Sequence, residues 1–282
     1  MFEVRDMDSG VKIDFKHLTF PGGEEHVTVK EGDLSRCRIQ LTADLWSSKD
    51  VLLLMMLNDA LRRLDAPKIK LLMKYVPYAR QDRVANVGEA LSIRVFCELI
   101  NSMMFDEVEI WDPHSDVTPA FLDRVRVIPQ HELFTTTVSA RGYGTATTSF
   151  ADQSVFVAPD AGAVKKTSQL STKYQTPMAT ATKHRDTKTG VITGTTVDFK
   201  HIHKNDFWVV DDICDGGRTF TELAKALRPL TDGKIYLYVT HGIFSKGFSP
   251  FIGLIDEIFC ANVHPNHVDV DQSGPIKLHF LD

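Results

Sequence analysis

The chain has 282 residues, of which 43% are hydrophobic and 24% are charged, so it can bury a large core and has room for about two domains. Its net charge of −5 argues against nucleic acid as a main partner, because phosphate backbones are bound by a surplus of clustered lysine and arginine. The N-terminal residues have no basic region followed by an apolar one, and the longest apolar run, Val51 to Leu57, is too short to span a bilayer. We therefore expect a cytoplasmic protein that binds neither nucleic acid nor membrane.

Predicted helices and strands alternate along the chain. Apolar stripes at helical spacing predict helices from Val51 to Leu64 and from Leu91 to Met104. Three short apolar runs predict buried strands, and each of them delivers an aspartate: Val108 to Trp111 before Asp112, Val155 to Ala158 before Asp160, and Phe207 to Val210 before Asp211. Ligands of open α/β sheets lie outside the carboxyl ends of the strands, so these three acids indicate one composite site.

Two segments interrupt the alternation of strands and helices. The threonine, serine and glycine cluster from Thr135 to Ser149 is the best candidate for a domain boundary, and it divides the chain into residues 1–142 and 143–282. The stretch from Thr176 to Asp206 is rich in threonine, lysine and histidine and has little periodicity. Mobile cations of this kind stabilise the negative charge of a phosphoryl-transfer transition state, so the stretch is either a flap or a solvated charge run on a hairpin.

Two polar segments in the N-terminal half are candidate ligand sites. In Tyr75 to Arg83, the guanidinium of Arg80 suits a polyphosphate and the amide of Gln81 suits an adenine edge. His114 stands between two aspartates after a predicted strand, a setting suited to Mg²⁺ that keeps most of its waters. Charge patterns alone also allow a solvated loop with an Arg/Asp ion pair, and a histidine in a structural role.

The most informative stretch runs from Phe207 to Phe220. The paired carboxylates Asp211 and Asp212 precede two glycines, and Thr219 with Glu222 has the spacing of a capping box at a helix start. Glycines before a helix N-terminus let unpaired N–H groups approach an oxyanion, and carboxylates bind the vicinal hydroxyls of a ribose. The stretch predicts a sugar-phosphate site, and the alternative is a tight strand-to-helix turn with solvated carboxylates.

These segments resemble those of one enzyme family. Val209 to Thr219 resembles the phosphoribosyl-pyrophosphate loop of type I phosphoribosyltransferases and of ribose-phosphate pyrophosphokinases. Pro77 to Arg83 is similar to the ATP-binding segment of the pyrophosphokinases, which the transferases lack, and Trp111 to Asp116 to their metal and ATP-phosphate loop. The chain is identified as a short, divergent member of the pyrophosphokinase family. The resemblance implies an α/β fold of two type I phosphoribosyltransferase-like domains, an ATP-binding domain at 1–142 and a ribose-phosphate-binding domain with the flap at 143–282.

The resemblance also implies an activity and residue roles. The expected reaction is the Mg²⁺-dependent transfer of the β,γ-diphosphate of ATP to the anomeric hydroxyl of a 5-phosphorylated ribose, with release of AMP, in at least a homodimer. The implied catalytic residues are Lys183 and Arg185 of the flap, and the implied metal ligands are His114 and Asp160. The implied ATP contacts are Phe20, Glu24, Arg80, Gln81 and His114. The implied ribose-phosphate ligands are Asp160, Asp211, Asp212, Asp215, Gly216, Gly217, Arg218 and Thr219.

The phosphate loop departs from the family pattern. Relatives commonly have Asp-Thr-Gly-Gly-Thr or Asp-Thr-Ala-Gly-Thr where this chain has Asp215-Gly216-Gly217-Arg218-Thr219. A threonine hydroxyl is lost, and the guanidinium fork of Arg218 is able to span a diphosphate. The departure predicts a ribose with a larger 5-substituent, such as ADP-ribose, beside or in place of ribose 5-phosphate. Alternatively, Arg218 points to solvent or pairs with Glu222, one helical turn onward.

Two other functions remain open. A phosphoribosyltransferase that consumes phosphoribosyl pyrophosphate is supported by the 207–220 stretch, but not by Arg80, Gln81 or His114. A catalytically silent regulatory relative is the second alternative, and retention of His114, Lys183 and Arg185 argues against it.

Overall fold

The chain folds as two units, residues 1–128 and 129–282, and each unit is built around its own mainly parallel β-sheet. The computed structural model describes residues 2–30, 32–143, 148–185, 192–197, 206–268 and 274–281. Within these ranges, no helix combines the length and the apolar character that crossing a membrane requires.

The first unit contains seven strands and three helices within its described residues. Its strands are β1 (Phe2–Asp6), β2 (Phe15–Thr19), β3 (Glu25–Val29), β4 (Arg38–Ala43), β5 (Lys68–Met73), β6 (Glu107–Trp111) and β7 (Val125–Ile128), and its helices are α1 (Ser48–Arg63), α2 (Ser92–Ser102) and α3 (Val117–Phe121). The sheet has the order β1-β4-β5-β6-β7, with β1 antiparallel to β4 and the other pairs parallel, while β2 and β3 form a separate hairpin. The parallel strands therefore end at one edge of the sheet.

Helices α1 and α2 cover one face of this sheet. Leu54 and Leu57 of α1 and Phe96 of α2 pack in a single core with the inward residues of β4, β5 and β6. A capping box between Ser47 and Asp50 starts α1, because each side chain accepts the other residue's backbone N–H. Both helices predicted for this unit are confirmed, and α1 begins earlier than its apolar stripe because the cap lies upstream.

The second unit contains four helices, seven strands and three short 3₁₀ helices within its described residues. Its helices are α4 (Gln130–Ser139), α5 (Thr148–Gln153), α6 (Val164–Tyr174) and α7 (Arg218–Leu227), and its strands are β8 (Ser154–Ala158), β9 (Met178–Arg185), β10 (Ile192–Val197), β11 (Asp206–Cys214), β12 (Ile235–Gly242), β13 (Glu257–Val263) and β14 (Lys277–Phe280). The 3₁₀ helices are Arg228–Leu230, Ser249–Phe251 and Pro265–His267. The sheet order is β10-β9-β8-β11-β12-β13-β14, and only β10 is antiparallel to its neighbour.

The three strands predicted to deliver an aspartate are confirmed as β6, β8 and β11, with one correction. β11 continues to Cys214, so Asp211 and Asp212 lie inside the strand instead of following it. The strand continues because Asp211 and Ile213 still pair with β12 in the parallel ladder.

Helix α4 belongs to the second unit. Phe134 of this helix lies 5.4 Å from the rings of Phe156 and Trp208 and 4.9 Å from the ring of Tyr238, and all four rings are buried. The division between the units thus precedes α4, at Ile128, whereas the sequence placed the boundary after it, at residue 142. The aromatic contacts between α4 and the second sheet explain this difference.

Candidate functional site

The strand order of the second sheet reverses at β8. The chain passes from β8 to β9 on one side and later returns to β11 on the other side. In open α/β sheets, ligands bind beyond the carboxyl ends of the strands at such a switch point. Asp160 follows β8, and Asp211 and Asp212 lie near the carboxyl end of β11. The topology thus brings these predicted ligands to one edge of the second sheet, while Asp112 belongs to the first unit.

Backbone hydrogen bonds orient two of these carboxylates. Asp160 Oδ1 accepts the N–H groups of Gly162 and Ala163, at 3.0 and 3.3 Å. Asp211 Oδ1 accepts the N–H of Asp212 at 2.9 Å. These bonds fix the direction of both carboxylates, and carboxylate oxygens accept hydroxyl groups or coordinate a cation.

The three acids influence each other's ionisation. Burial, and then the neighbouring charges of Asp212 and Asp160, raise the pKa of Asp211 well above that of an ordinary aspartate. Lys166 Nζ lies 3.8 Å from Asp212 Oδ2 and is only 24% exposed.

These carboxylates fit a magnesium ion. Mg²⁺ prefers oxygen ligands and is usually held by one or two carboxylates together with substrate phosphates and waters. Among the described residues, no group of three or more His, Cys, Asp or Glu side chains forms a ready cage for a metal. Asp160 and Asp211 have oxygen donors of the kind that would hold a hydrated Mg²⁺, and the ion would supply positive charge for a phosphorylated substrate.

The glycine pair forms a tight turn from β11 into α7. Gly217 is the N-cap of α7 and has a left-handed backbone with φ 75°, and a Cβ built on it would lie 2.5 Å from Phe251 Cζ. No side chain caps the helix. The predicted capping box of Thr219 and Glu222 is therefore wrong, because α7 begins at Arg218 and Thr219 lies in its first turn. The uncapped N–H groups of α7 remain available to a phosphate.

A second segment lies against this turn. Ser245 Oγ donates a hydrogen bond of 2.6 Å to Asp215 Oδ1, and a Cβ built on Gly216 would be 3.7 Å from Lys246 Cε. The sequence did not mark Ser245 or Lys246 as functional. The tripeptide Thr240-His241-Gly242 follows an apolar run in the sequence. It is not a motif of known chemistry, so it did not indicate that Ser245 and Lys246, a few residues later, lie at the loop.

The carboxyl edge of the first sheet carries the other predicted ligands. Ser115 Oγ donates to Asp82 Oδ2 at 2.7 Å, so the loop of His114 is joined to the loop of Arg80 and Gln81. Arg80, Gln81 and His114 are exposed. The structure thus brings together the two loops that sequence reasoning treated separately.

The chain around these loops is held in unusual conformations. Tyr78 and Asp112 both have left-handed backbones, with φ of 63° and 37°, and Asp112 is buried. The rings of Trp46 and Tyr75 stack at 4.7 Å, where β4 and β5 end. Non-glycine residues with positive φ persist only when their surroundings enforce them, and they concentrate at functional sites.

Phe20 and Glu24 lie in the turn between β2 and β3. The Phe20 N–H donates to the Glu24 carbonyl at 2.8 Å, and both side chains are exposed. The neighbouring Glu25 side chain is 1% exposed and is held by Lys49 Nζ at 3.1 Å and by the His17 ring. The hydrogen bond from His17 is the main cause that lowers the pKa of Glu25. This buried carboxylate attaches the hairpin to α1, the helix of Lys49.

The flap residues lie at the end of β9. Lys183 pairs with Thr195 of β10, and Arg185 pairs with Ile192, so β9 and β10 form an antiparallel hairpin. The side chains of Lys183 and Arg185, and residues 186–191 and 198–205 of the predicted flap, fall outside the described part of the chain.

Comparisons with known proteins decide the family. Residues 12–103 match the family model for the N-terminal domain of ribose phosphate pyrophosphokinase. The ribose-phosphate pyrophosphokinase of Pyrococcus furiosus is 28% identical over 285 residues, which cover 99% of this chain and 95% of the relative. The enzyme of that name from Thermococcus kodakarensis is 30% identical over 272 residues, which cover 95% of this chain and 92% of the relative. The chain belongs to the ribose-phosphate pyrophosphokinase family.

The fold agrees with the family. The crystal structure of phosphoribosylpyrophosphate synthetase from Mycobacterium smegmatis superposes with a TM-score of 0.78 at 20% identity, covering 96% of this chain and 87% of that chain. The predicted α/β fold with phosphoribosyltransferase-like sheets is thereby confirmed. A ribose-phosphate pyrophosphokinase is a diphosphotransferase, so the predicted enzyme class is confirmed as well.

Proposed function

We propose that the chain transfers the β,γ-diphosphate of ATP to the anomeric hydroxyl of a 5-phosphorylated ribose. O1 of the sugar attacks the β-phosphorus, the bond from that phosphorus to the bridging oxygen of the α-phosphate breaks, AMP leaves, and the hydroxyl loses its proton. The switch-point arrangement of the second unit carries this proposal: carboxylates at the ends of β8 and β11, then a glycine turn, then a helix N-terminus with free N–H groups.

The second unit provides the groups that bind a ribose phosphate. Asp211 and Asp212 accept hydrogen bonds from the ribose hydroxyls, while the backbone from Asp215 to Thr219 holds the 5-phosphate. Asp160 here, and His114 in the first unit, would each help to hold Mg²⁺, which would supply positive charge against the phosphates. Burial of Asp211 supports this role, because a desolvated carboxylate binds a hydroxyl or a cation more strongly than an exposed one.

The first unit provides the groups that bind ATP. Arg80 binds the polyphosphate, Gln81 contacts the adenine edge, and Phe20 with Glu24 supports the base. The hydrogen bond between Ser115 and Asp82 supports this assignment. It joins the loop of Arg80 and Gln81 to the loop of His114, so the residues proposed to bind the polyphosphate and the metal lie on connected loops. Lys183 and Arg185 of the flap stabilise the transition state.

The functional form is at least a homodimer, and sedimentation of the purified chain would test this oligomeric state.

The sugar substrate is proposed to be a ribose with a larger 5-substituent, with ADP-ribose as the leading candidate. Glu222 forms its ion pair with Lys225, at 2.9 Å, and within the described residues Arg218 has no ion pair. The alternative interpretation, in which Arg218 serves only to pair with Glu222, is therefore not what the described residues show. Arg218 is exposed at the start of α7, beside the phosphate loop, and its fork suits the second phosphate of a diphosphate.

Product analysis tests the activity. The chain, ATP and Mg²⁺ are incubated with ribose 5-phosphate or ADP-ribose, and products are identified by mass spectrometry. We expect AMP and a sugar 1-pyrophosphate without any added base. A nucleotide and pyrophosphate that form only from a nucleobase and phosphoribosyl pyrophosphate would indicate a transferase, and no product in either assay would indicate a silent relative.

Arg218→Gly tests the choice of sugar. We expect wild-type protein to use ADP-ribose with a kcat/KM at least equal to that for ribose 5-phosphate, and Arg218→Gly to lower the ADP-ribose value by about tenfold or more relative to the other substrate. Arg218→Lys keeps the charge but loses the planar fork. Its kcat/KM for ADP-ribose should lie between the values of the wild type and of Arg218→Gly. A strong preference for ribose 5-phosphate in both wild type and Arg218→Gly would contradict the assignment.

Magnesium titration tests the metal ligands. His114→Ala and Asp160→Ala should each raise the Mg²⁺ concentration that gives half-maximal activity, because each removes an anchor for a weakly held ion. Asp232→Ala, at an exposed aspartate of the second unit, should leave the titration unchanged. If neither of the first two variants shifts the titration, both assignments are wrong.

A further inference from the structure

Lys246 lies in a turn of defined shape. The turn spans residues 244–247, and the Gly247 N–H closes it with a hydrogen bond of 2.8 Å to the Phe244 carbonyl. Phe244 and Gly247 have left-handed backbones with φ of 45° and 63°. A phenylalanine keeps such a conformation only where its surroundings enforce it. Lys246 therefore leaves the backbone from a fixed position.

The turn is fastened to the strand that enters the phosphate loop. The N–H groups of Ile243 and Phe244 both donate to the carbonyl of Cys214, at 2.8 and 3.1 Å. Ser245 Oγ donates to Asp215 Oδ1 at 2.6 Å. These three hydrogen bonds attach the turn to the last residue of β11 and the first residue of the loop. The turn and the loop are thus one structural element.

The stem of Lys246 lies beside the position that a side chain at residue 216 would take. A Cβ built on Gly216 would lie 3.7 Å from Lys246 Cε and 3.8 Å from Cδ. The backbone of Gly216 is not left-handed, so its conformation alone does not require glycine. The branches of a threonine at this position would compete with the lysine stem. Gly216 and Lys246 therefore form one combined feature of this chain.

Two cations, Lys246 of the turn and Arg218 of the phosphate loop, have no acid partner within the described residues. Lys246 packs beside Gly216, and Arg218 directly follows Gly217 in the chain. The two cations therefore lie next to the two glycines that form the turn into α7. Both side chains are exposed. A 5-phosphate bound by the N–H groups of α7 takes the place between them. A second phosphate linked to the first would lie beyond the N–H groups and would need charged side chains as donors.

We infer that Lys246, together with Arg218, forms a subsite for the second phosphate of a ribose whose 5-substituent is a diphosphate. The inference rests on the proposed function, because the loop must hold the 5-phosphate for the subsite to be in reach. Ribose 5-phosphate has no second phosphate to place there. Lys246 is therefore a specificity-determining residue.

Binding measurements on the full chain test the subsite. Kd is measured by calorimetry for ADP-ribose and for ribose 5-phosphate at one ionic strength, because phosphate binding by lysine is sensitive to salt. In Lys246→Ala, we expect Kd for ADP-ribose to rise about tenfold or more and Kd for ribose 5-phosphate to rise less than about threefold. Gly216→Thr, which fills the space of the lysine stem, should shift the two constants in the same selective way.

Two controls separate the subsite from general effects of charge. Lys246→Arg keeps a cation at the position and should retain most of the affinity for ADP-ribose. Lys277→Ala removes an exposed lysine at the start of β14 and should change neither constant.

An equal loss of affinity for both sugars in Lys246→Ala, or no loss for ADP-ribose, overturns the inference. A wild-type chain that does not bind ADP-ribose overturns it as well. The proposed activity is judged separately, by AMP release from ATP with ribose 5-phosphate in the wild type, so failure of the subsite and failure of the activity are distinguished.

Discussion

Replacing Lys183 by alanine is expected to lower kcat by about three orders of magnitude while KM for ATP stays nearly unchanged. A cation that acts on the charge of the transition state contributes little to binding of the ground state, so its loss appears in kcat. Lys183 lies on β9 of the β9–β10 hairpin, paired with Thr195, and Arg185 closes the same strand. Steady-state kinetics with the preferred sugar measures the effect, and Arg185→Ala should behave similarly.

The matched control is Lys68→Ala, at an exposed lysine that begins β5 of the first unit. It removes the same charge and should leave both constants unchanged. Near-normal turnover in Lys183→Ala would refute the catalytic assignment, and a large rise in KM with unchanged kcat would make Lys183 a residue of substrate binding instead.

Gly217→Ala is expected to destabilise the second unit by about 3 kcal/mol. An alanine at φ 75° pays the cost of a left-handed backbone, and its Cβ would come 2.5 Å from the ring of Phe251, which is buried and has no room to move. Differential scanning calorimetry should show the transition of this unit lowered by about 6 to 12 °C. Affinity for the sugar phosphate should fall as well, because the turn sets the direction of the N–H groups of α7.

Gly216→Ala is the matched control for stability. Its Cβ would make only an ordinary contact with Lys246, at 3.7 Å, and its backbone is not left-handed. We expect a change in stability within about 1 kcal/mol, since alanine restricts the unfolded chain more than glycine does. If the two variants are equally stable, the close contact between Gly217 and Phe251 is not a constraint.

The sequence predicted the strands that end in carboxylates because the pattern is local. Short β-branched runs followed by an acid are recognisable without tertiary knowledge, and the rule for open α/β sheets then places Asp160 beside Asp211. The cap of α7 was missed for a local reason as well. Gly217 is the N-cap because its backbone is left-handed. The sequence does not distinguish such a glycine cap from a capping box that begins at Thr219, so the spacing of Thr219 and Glu222 was misleading.

The residues that were missed depend on contacts between distant parts of the chain. Ser245 meets Asp215 because β12 ends beside β11, and Lys166 meets Asp212 because α6 packs against the sheet. No spacing rule connects positions so far apart. The pairing of Glu222 with Lys225 instead of Arg218 was equally open, because both partners lie within one helical turn.

Helix α4 has a consequence for expressing the halves of this protein separately. Phe134 contributes a buried ring to the aromatic cluster around Trp208, so a C-terminal fragment that starts at residue 143 would lack it. The loss of one buried phenylalanine ring costs about 3 to 5 kcal/mol, and the rest of α4 would be lost with it. A gene fragment for the second unit should therefore begin no later than Pro129, and a fragment for the first unit should stop at Ile128 to avoid an exposed apolar helix.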